Sequence, residues 1–151
     1  MLRPLIAADA AATAALIRES FANQQVDPPP SATRETAPAI AAALAAGGGF
    51  GVERQGVLQA VVLWQLAEGG MYLGRLAVAA AARGQGLAQQ LVAAVEAEAR
   101  RQGLPRLHLK VRLPLLDNRR LFRRCGFSET SLHAHEGYAE PTYAVMEKQL
   151  A

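Results

Sequence analysis

A single cysteine, Cys125, in 151 residues excludes an internal disulfide and leaves no thiolate cluster for zinc. Aromatic residues make up only 5% of the chain and the formal net charge is only +3. Basic residues gather in RLHLKVR (Arg106 to Arg112) and RRLFRR (Arg119 to Arg124), but the stacking platform and broad basic surface of a nucleic-acid reader are missing. No apolar run reaches the roughly 18 to 20 residues that cross a bilayer. Asp9 interrupts MLRPLIAADAAA where a secretory leader would stay apolar, so no membrane partner is expected and the expected compartment is the cytoplasm. Histidines are few, and His133 and His135 would share one face of a strand. Such pairs are common on polar strands without a metal, and none is expected here.

What is present is 51% hydrophobic and 19% charged residues. That balance belongs to a folded chain, long enough for one core and too short for two, so a single domain over residues 1–151 is expected. LRPLI (Leu2 to Ile6) reads as a first strand, and Asp9 as the N-cap of an alanine-rich helix carrying Leu16, Ile17 and Phe21. DPPP (Asp27 to Pro30) cannot continue a helix. A second helix fits Arg34 to Ala46 and stops at the glycines 47–49. The stretch from Phe50 to Ala79 divides into three strands at RQG and EGG turns. From Gly84 to Arg101, Leu87, Leu91, Val95 and Ala99 form one helical stripe. Gly103 stops it, and Leu107, Leu109 and Val111 alternate along the next strand, opposite His108, Lys110 and Arg112. Strand, glycine turn, helix and strand make a βαβ unit. A short helix from Leu116 or Asp117 to Arg124 and a hairpin around EGYAEP complete the chain.

The glycines of ARGQGLA (Ala82 to Ala88) pose the chemical question. No Lys-Ser or Lys-Thr follows them, so this is not a P-loop, and Gln89 stands where a dinucleotide fingerprint needs a third glycine. Two readings remain. The first amides of a helix starting near Gly86, approached across Gly84 and Gly86 with Arg83 beside them, suit an oxygen-rich anion. Alternatively, the two glycines only make a tight strand-to-helix turn.

The order LGRLAVAAAARGQGLAQQLVAAVEAEARRQG, then a strand, then LFRRCGF, resembles the GNAT acetyltransferase superfamily over essentially the whole chain. That family's acyl-CoA motif, Gln/Arg-x-x-Gly-x-Gly/Ala, falls on Arg83, Gly86 and Ala88. The resemblance implies an α/β fold with a mixed central sheet of about six to seven strands, a splayed central strand pair and about four helices. It implies acetyl-CoA as the acyl donor. The amides of Gln85, Gly86, Leu87 and Ala88 would hold its pyrophosphate, Arg83 would shape the approach, and the edge of Leu76, Ala77 and Val78 would pair with the pantetheine arm. The amide of Val78 would also stabilise oxyanion charge on the thioester carbonyl.

The implied reaction moves the acetyl group directly to an amine, which must lose its ammonium proton and approach the carbonyl to within about 3 to 3.5 Å. His135 and Glu136 are the candidate bases, because the final hairpin borders the acceptor cleft in this family. The family's acid is a tyrosine where this chain has Phe122, which donates no proton. Departure without an acid, Tyr138, Tyr143 and water are the alternatives, and Phe122 is placed beside the cofactor. The family's asparagine position is Leu115 here. Asn118 is assigned to CoA contact or helix capping, with Asp117 an equal cap. Glu53, Trp64 and Tyr72 can face cleft or core, His108, Lys110 and Arg112 form a half-exposed surface, and Cys125 packs. HEGYAEPTYAVMEK resembles the C-terminal signature of some small bacterial members. The expected function is N-acetylation of a primary amine on a small molecule or protein, with a homodimer left open. The alternative is a catalytically weak GNAT-like module that binds acyl-CoA or a partner.

Overall fold

Ala60 and Val62 point to one side of a strand and Val61 and Leu63 to the other, and all four are buried. The sheet that contains them must therefore be covered on both faces. In the computed structural model, which describes residues 1–150, that sheet has seven strands. They are β1 (Leu2–Pro4), β2 (Gly48–Arg54), β3 (Val57–Ala67), β4 (Gly70–Val78), β5 (Arg106–Arg112), β6 (Ser128–His133) and β7 (Tyr143–Gln149). Their order is β1-β2-β3-β4-β5-β7-β6, antiparallel throughout except for the parallel β4–β5 pair made by the βαβ unit.

Helices α1 (Ala10–Ala22) and α2 (Ala37–Ala46) pack on β2, β3 and β4 from one side, burying Ile17 and Ile40 against Val61, Leu63 and Ala77. Helix α3 (Leu87–Arg101) covers β2 to β5 from the other, and its predicted stripe of Leu87, Leu91, Val95 and Ala99 is entirely buried. Helix α4 (Leu116–Arg124) adds Phe122 to the same core. Each fully buried Ile or Leu contributes roughly 1.5–3 kcal/mol. Among the described residues, the side carrying α1 and α2 has no helix packed over β5, β7 and β6, and this bare half is where the polar residues collect.

Local chemistry moves several expected boundaries. Helix α2 starts at Ala37 rather than Arg34, because Thr36 accepts the Ala39 N–H at 3.2 Å and residues 31–34 form a separate 3-10 turn. The Asp9 carboxylate accepts the Ile6 N–H at 2.8 Å and pairs with Arg3 at 2.8 Å instead of capping α1 through its side chain. At α4 the capping expectation is corrected: Leu115 is the N-cap, and Asp117 and Asn118 lie inside the helix.

Two irregularities in β4 open the sheet. Val61 pairs with Ala77 but Leu63 with Gly74, so one residue of β3 faces two of β4, which is a bulge. Arg75 sits in it at φ +56°. The extra residue resets the alternation, so that Leu76 and Val78 face the α3 side as Leu73 does, while Ala77 faces α1 and α2. Beside it, β4 and β5 pair only at Met71–Leu107 and Tyr72–His108 and then separate.

Candidate active site

The separation leaves the β5-facing edge of Leu73 to Val78 without a strand partner. The Ala79 N–H donates to the Gln59 carbonyl at 2.7 Å. Because an antiparallel ladder alternates, the N–H and C=O of Val78, paired with Ala60, turn the other way, into the gap. Along the predicted edge of Leu76, Ala77 and Val78, the groups of Val78 are thus free toward an extended ligand, while those of Ala77, paired with Val61, turn back toward β3.

At the end of this gap the chain turns into α3. Gly84 and Gly86 have φ of +77° and +76°, and a Cβ built on either meets nothing within 4 Å. Among the described residues the amides of 84–89 find no acceptor. An anion can therefore approach without a side chain in the way, at the positive end of a long helix. Leu87 is buried in the core and offers only its amide, Ala88 is half-buried, and Gln85 is exposed. Arg83 is exposed and free of any carboxylate among the described residues. A second cation, missed in the sequence, stands here: Arg54 at the end of β2 donates to the Gln85 side chain. These groups fit a pyrophosphate.

The other side of the gap is walled by two loops. Arg75, projecting from the bulge, donates to Glu35 at 2.9 Å and to Ser31 at 3.1 Å, which pins the α1–α2 connection to β4. Tyr138 in the β6–β7 loop donates its hydroxyl to Asp27 at 2.7 Å, and Arg112 at the end of β5 donates to the Pro28 carbonyl at 2.6 Å. The hydrogen bond to Asp27 raises the Tyr138 pKa and engages the proton an acid would need to give. His135 is half-buried, with Nδ1 hydrogen-bonded to Thr142 Oγ1 and its ring edge-on to Tyr143 at 5.0 Å. Burial, then Arg112 and Lys110, lower its pKa below the ordinary 6.5, so the imidazole is neutral at neutral pH. Glu136 is exposed with no side-chain partner among the described residues.

Along the bare sheet face below these loops runs a trough of about 480 Å³, in whose lining Val145 is the one apolar residue. Tyr72 faces this side, its ring edge-on to buried His108 at 5.5 Å, and His108 Nε2 is 2.9 Å from the Ala67 carbonyl. The other undecided residues point elsewhere: Glu53 pairs with Arg3 at 2.7 Å, and Trp64 packs on the α3-side core. Phe122 is buried edge-on to Phe127, with ring centroids 5.9 Å apart. Asn118 is half-buried with an uncommitted carboxamide among the described residues. Cys125 is half-buried, and burial raises its thiol pKa, which suits packing.

Comparison with known proteins adds the family. The sequence profile of the Acetyltransferase (GNAT) family matches residues 14–127. The chain belongs to that family and is an acetyl-CoA-dependent acetyltransferase with its mixed, splayed α/β fold. A putative GNAT-family acetyltransferase from Desulfovibrio desulfuricans superposes with a TM-score of 0.79 at 19% identity, covering 100% of this chain and 99% of that one. The ribosomal-protein-S18-alanine N-acetyltransferase of Escherichia coli gives 0.77 at 19% identity, covering 99% and 92%. A putative acetyltransferase from Salmonella typhimurium, solved with its cofactor acetyl-CoA, gives 0.77 at 19% identity, covering 100% and 94%. At such identities the structures speak for the fold. No curated protein matches the sequence.

Proposed function

We propose that the protein transfers the acetyl group of acetyl-CoA directly to a primary amine of a small molecule or protein. The observation that carries this reading is the gap between β4 and β5, which opens beside the unsatisfied amides of residues 84–89. One ligand can lie across both, with phosphates on the amides and an extended arm along Leu76 to Val78.

Acetyl-CoA supplies an activated acyl group on a thiol leaving group, and a thiol with a pKa of about 8.5 departs with little help. For that reason Phe122, which has no proton to give, is compatible with turnover. The N–H of Val78 is the oxyanion donor, fixed by the β3 ladder before substrate arrives. His135 is the base: Thr142 holds Nδ1, and Nε2 is left to take the ammonium proton of the acceptor. Glu136 acts through water where the acceptor lies far from the imidazole. Tyr138 closes the cleft through Asp27. Asn118 and Phe122 border the cofactor from α4, and Arg83, Gln85, Gly86, Leu87 and Ala88 hold its phosphates.

The test is release of free CoA thiol from acetyl-CoA in the presence of a panel of primary amines, read with a thiol dye. Amine-dependent release well above hydrolysis is expected. Saturable acetyl-CoA binding without any amine-dependent release overturns the reading and leaves the weakly catalytic binding module, which Phe122 favours.

A further inference from the structure

All three histidines and all three tyrosines of the chain lie on or beside one surface, the bare sheet face and its loops. Their arrangement around the cations Lys110 and Arg112 bears on the acceptor. Both project from the same face of β5, on the half of the strand that has left β4. Lys110 Nζ lies 5.6 Å from the centroid of the Tyr143 ring, which draws it over the trough. Arg112 is half-buried, and its one hydrogen bond among the described residues goes from Nη1 to the Pro28 carbonyl, leaving the other guanidinium N–H groups unused.

Neither cation has a carboxylate within 4.0 Å among the described residues, and the carboxylates nearby have other partners or lie farther off. Asp27 accepts the Tyr138 hydroxyl. Glu35 is paired with Arg75. Glu147 is paired with Arg106 at 3.3 Å and accepts from Thr130 at 2.9 Å. Glu68 lies at the far end of the trough, 4.0 Å from His108. Asp27 acts on Arg112 only from beyond ion-pair distance, and a half-buried guanidinium and a neighbouring ammonium with no carboxylate in contact repel a bare ammonium acceptor.

We infer that the acceptor is an amine that also carries an anionic oxygen group, a carboxylate above all, gripped by Arg112 and Lys110 while its amine faces the gap. A planar carboxylate matches the unused guanidinium fork, and Lys110 adds a point charge. Lys110 lines the trough, whose volume suits a small molecule, and Arg112 stands two residues further along β5, toward the gap. The polar lining lacks the apolar centre of a stable protein interface, so a second copy of the chain is a poor occupant.

This inference rests on the amine acetylation proposed above, and the experiment separates the two. Acetylation rates are measured for the common amino acids, for the same amino acids as amides, for their decarboxylated amines and for aminoalkyl phosphates. Amine-dependent CoA release in any arm supports the parent reading. The inference expects kcat/KM for the best free acid to exceed that of its amide at least tenfold, with Lys110→Met and Arg112→Lys each cutting that preference and leaving the acetyl-CoA Kd unchanged. A preference for phosphates over carboxylates keeps the anion and changes its source. Equal rates for acid and amide, or faster rates for decarboxylated amines, overturn it. A second readout needs no turnover: the ring-proton NMR signals of His133 and His135 are followed while the CoA complex is titrated with the same amino acids. Shifts with the acids and not the amides are expected, and no shift with any acid overturns the inference.

Discussion

Gly86 offers the cleanest electrostatic test of the phosphate cradle. Its φ of +76° lies in the left-handed region, and a Cβ there meets no atom within 4 Å. Replacing it therefore costs backbone strain and no collision. Asn and Asp tolerate this conformation best among side chains and cap helices about equally, so each costs about 1 kcal/mol of stability. The two variants differ by one negative charge. Placed about 5 Å from a phosphate charge, with an effective dielectric constant of about 40 to 80 for so exposed a turn, that charge costs about 1–2 kcal/mol. Gly86→Asp should thus bind acetyl-CoA about 5- to 30-fold more weakly than Gly86→Asn. Isothermal titration gives the ratio, thermal denaturation checks that the variants are equally folded, and the ratio should shrink as salt screens the repulsion. Equal affinities for two folded variants would refute the placement of phosphate at this turn.

Other expectations follow from the cleft walls. Arg75→Gly relieves the left-handed strain that Arg75→Ala keeps, so the glycine variant should be more stable by about 1 kcal/mol in urea unfolding, and equal midpoints would contradict the bulge. Both should raise the acceptor KM by freeing the loop at Ser31 and Glu35. Since burial and neighbouring cations lower the His135 pKa, the imidazole works in its neutral form and kcat/KM should fall only as pH drops below about 6.5. Lys110→Met should move that acid limb upward in pH, and an unmoved limb argues for another base. The same depressed pKa makes the folded state lose stability as pH falls through it, which His135→Asn should abolish in melting curves. Tyr138→Phe should raise the acceptor KM with little change in kcat, whereas a large kcat loss would make Tyr138 the acid instead of a latch.

The parts of this protein legible in its sequence are those with local periodicity. The α3 stripe and the alternation of β5 each bury one face of a single element, so their spacing alone marks them. The phosphate turn was legible as chemistry because two glycines precede a helix, and family resemblance chose between its two readings. The bulge at Arg75 left one weak trace, Gly74 inside a strand pattern. The Arg54–Gln85, Arg112–Pro28 and Tyr138–Asp27 contacts left none, since each joins segments distant in sequence and depends on the completed sheet. Strand parity counted straight along β4 also fails beyond residue 74, because the bulge resets it.

The two-residue pairing between β4 and β5 makes the active site the mechanical seam of the molecule. On one side of it lie β1 to β4 with α1 and α2, and on the other β5, β7 and β6, bridged from behind by α3. A ligand whose amide-bearing arm lies in this seam completes a ladder that the polypeptide leaves unfinished. The two halves should therefore breathe against each other when the seam is empty, and the gap-facing amide of Val78, which has no β3 acceptor, should slow in exchange as the arm zips the seam shut.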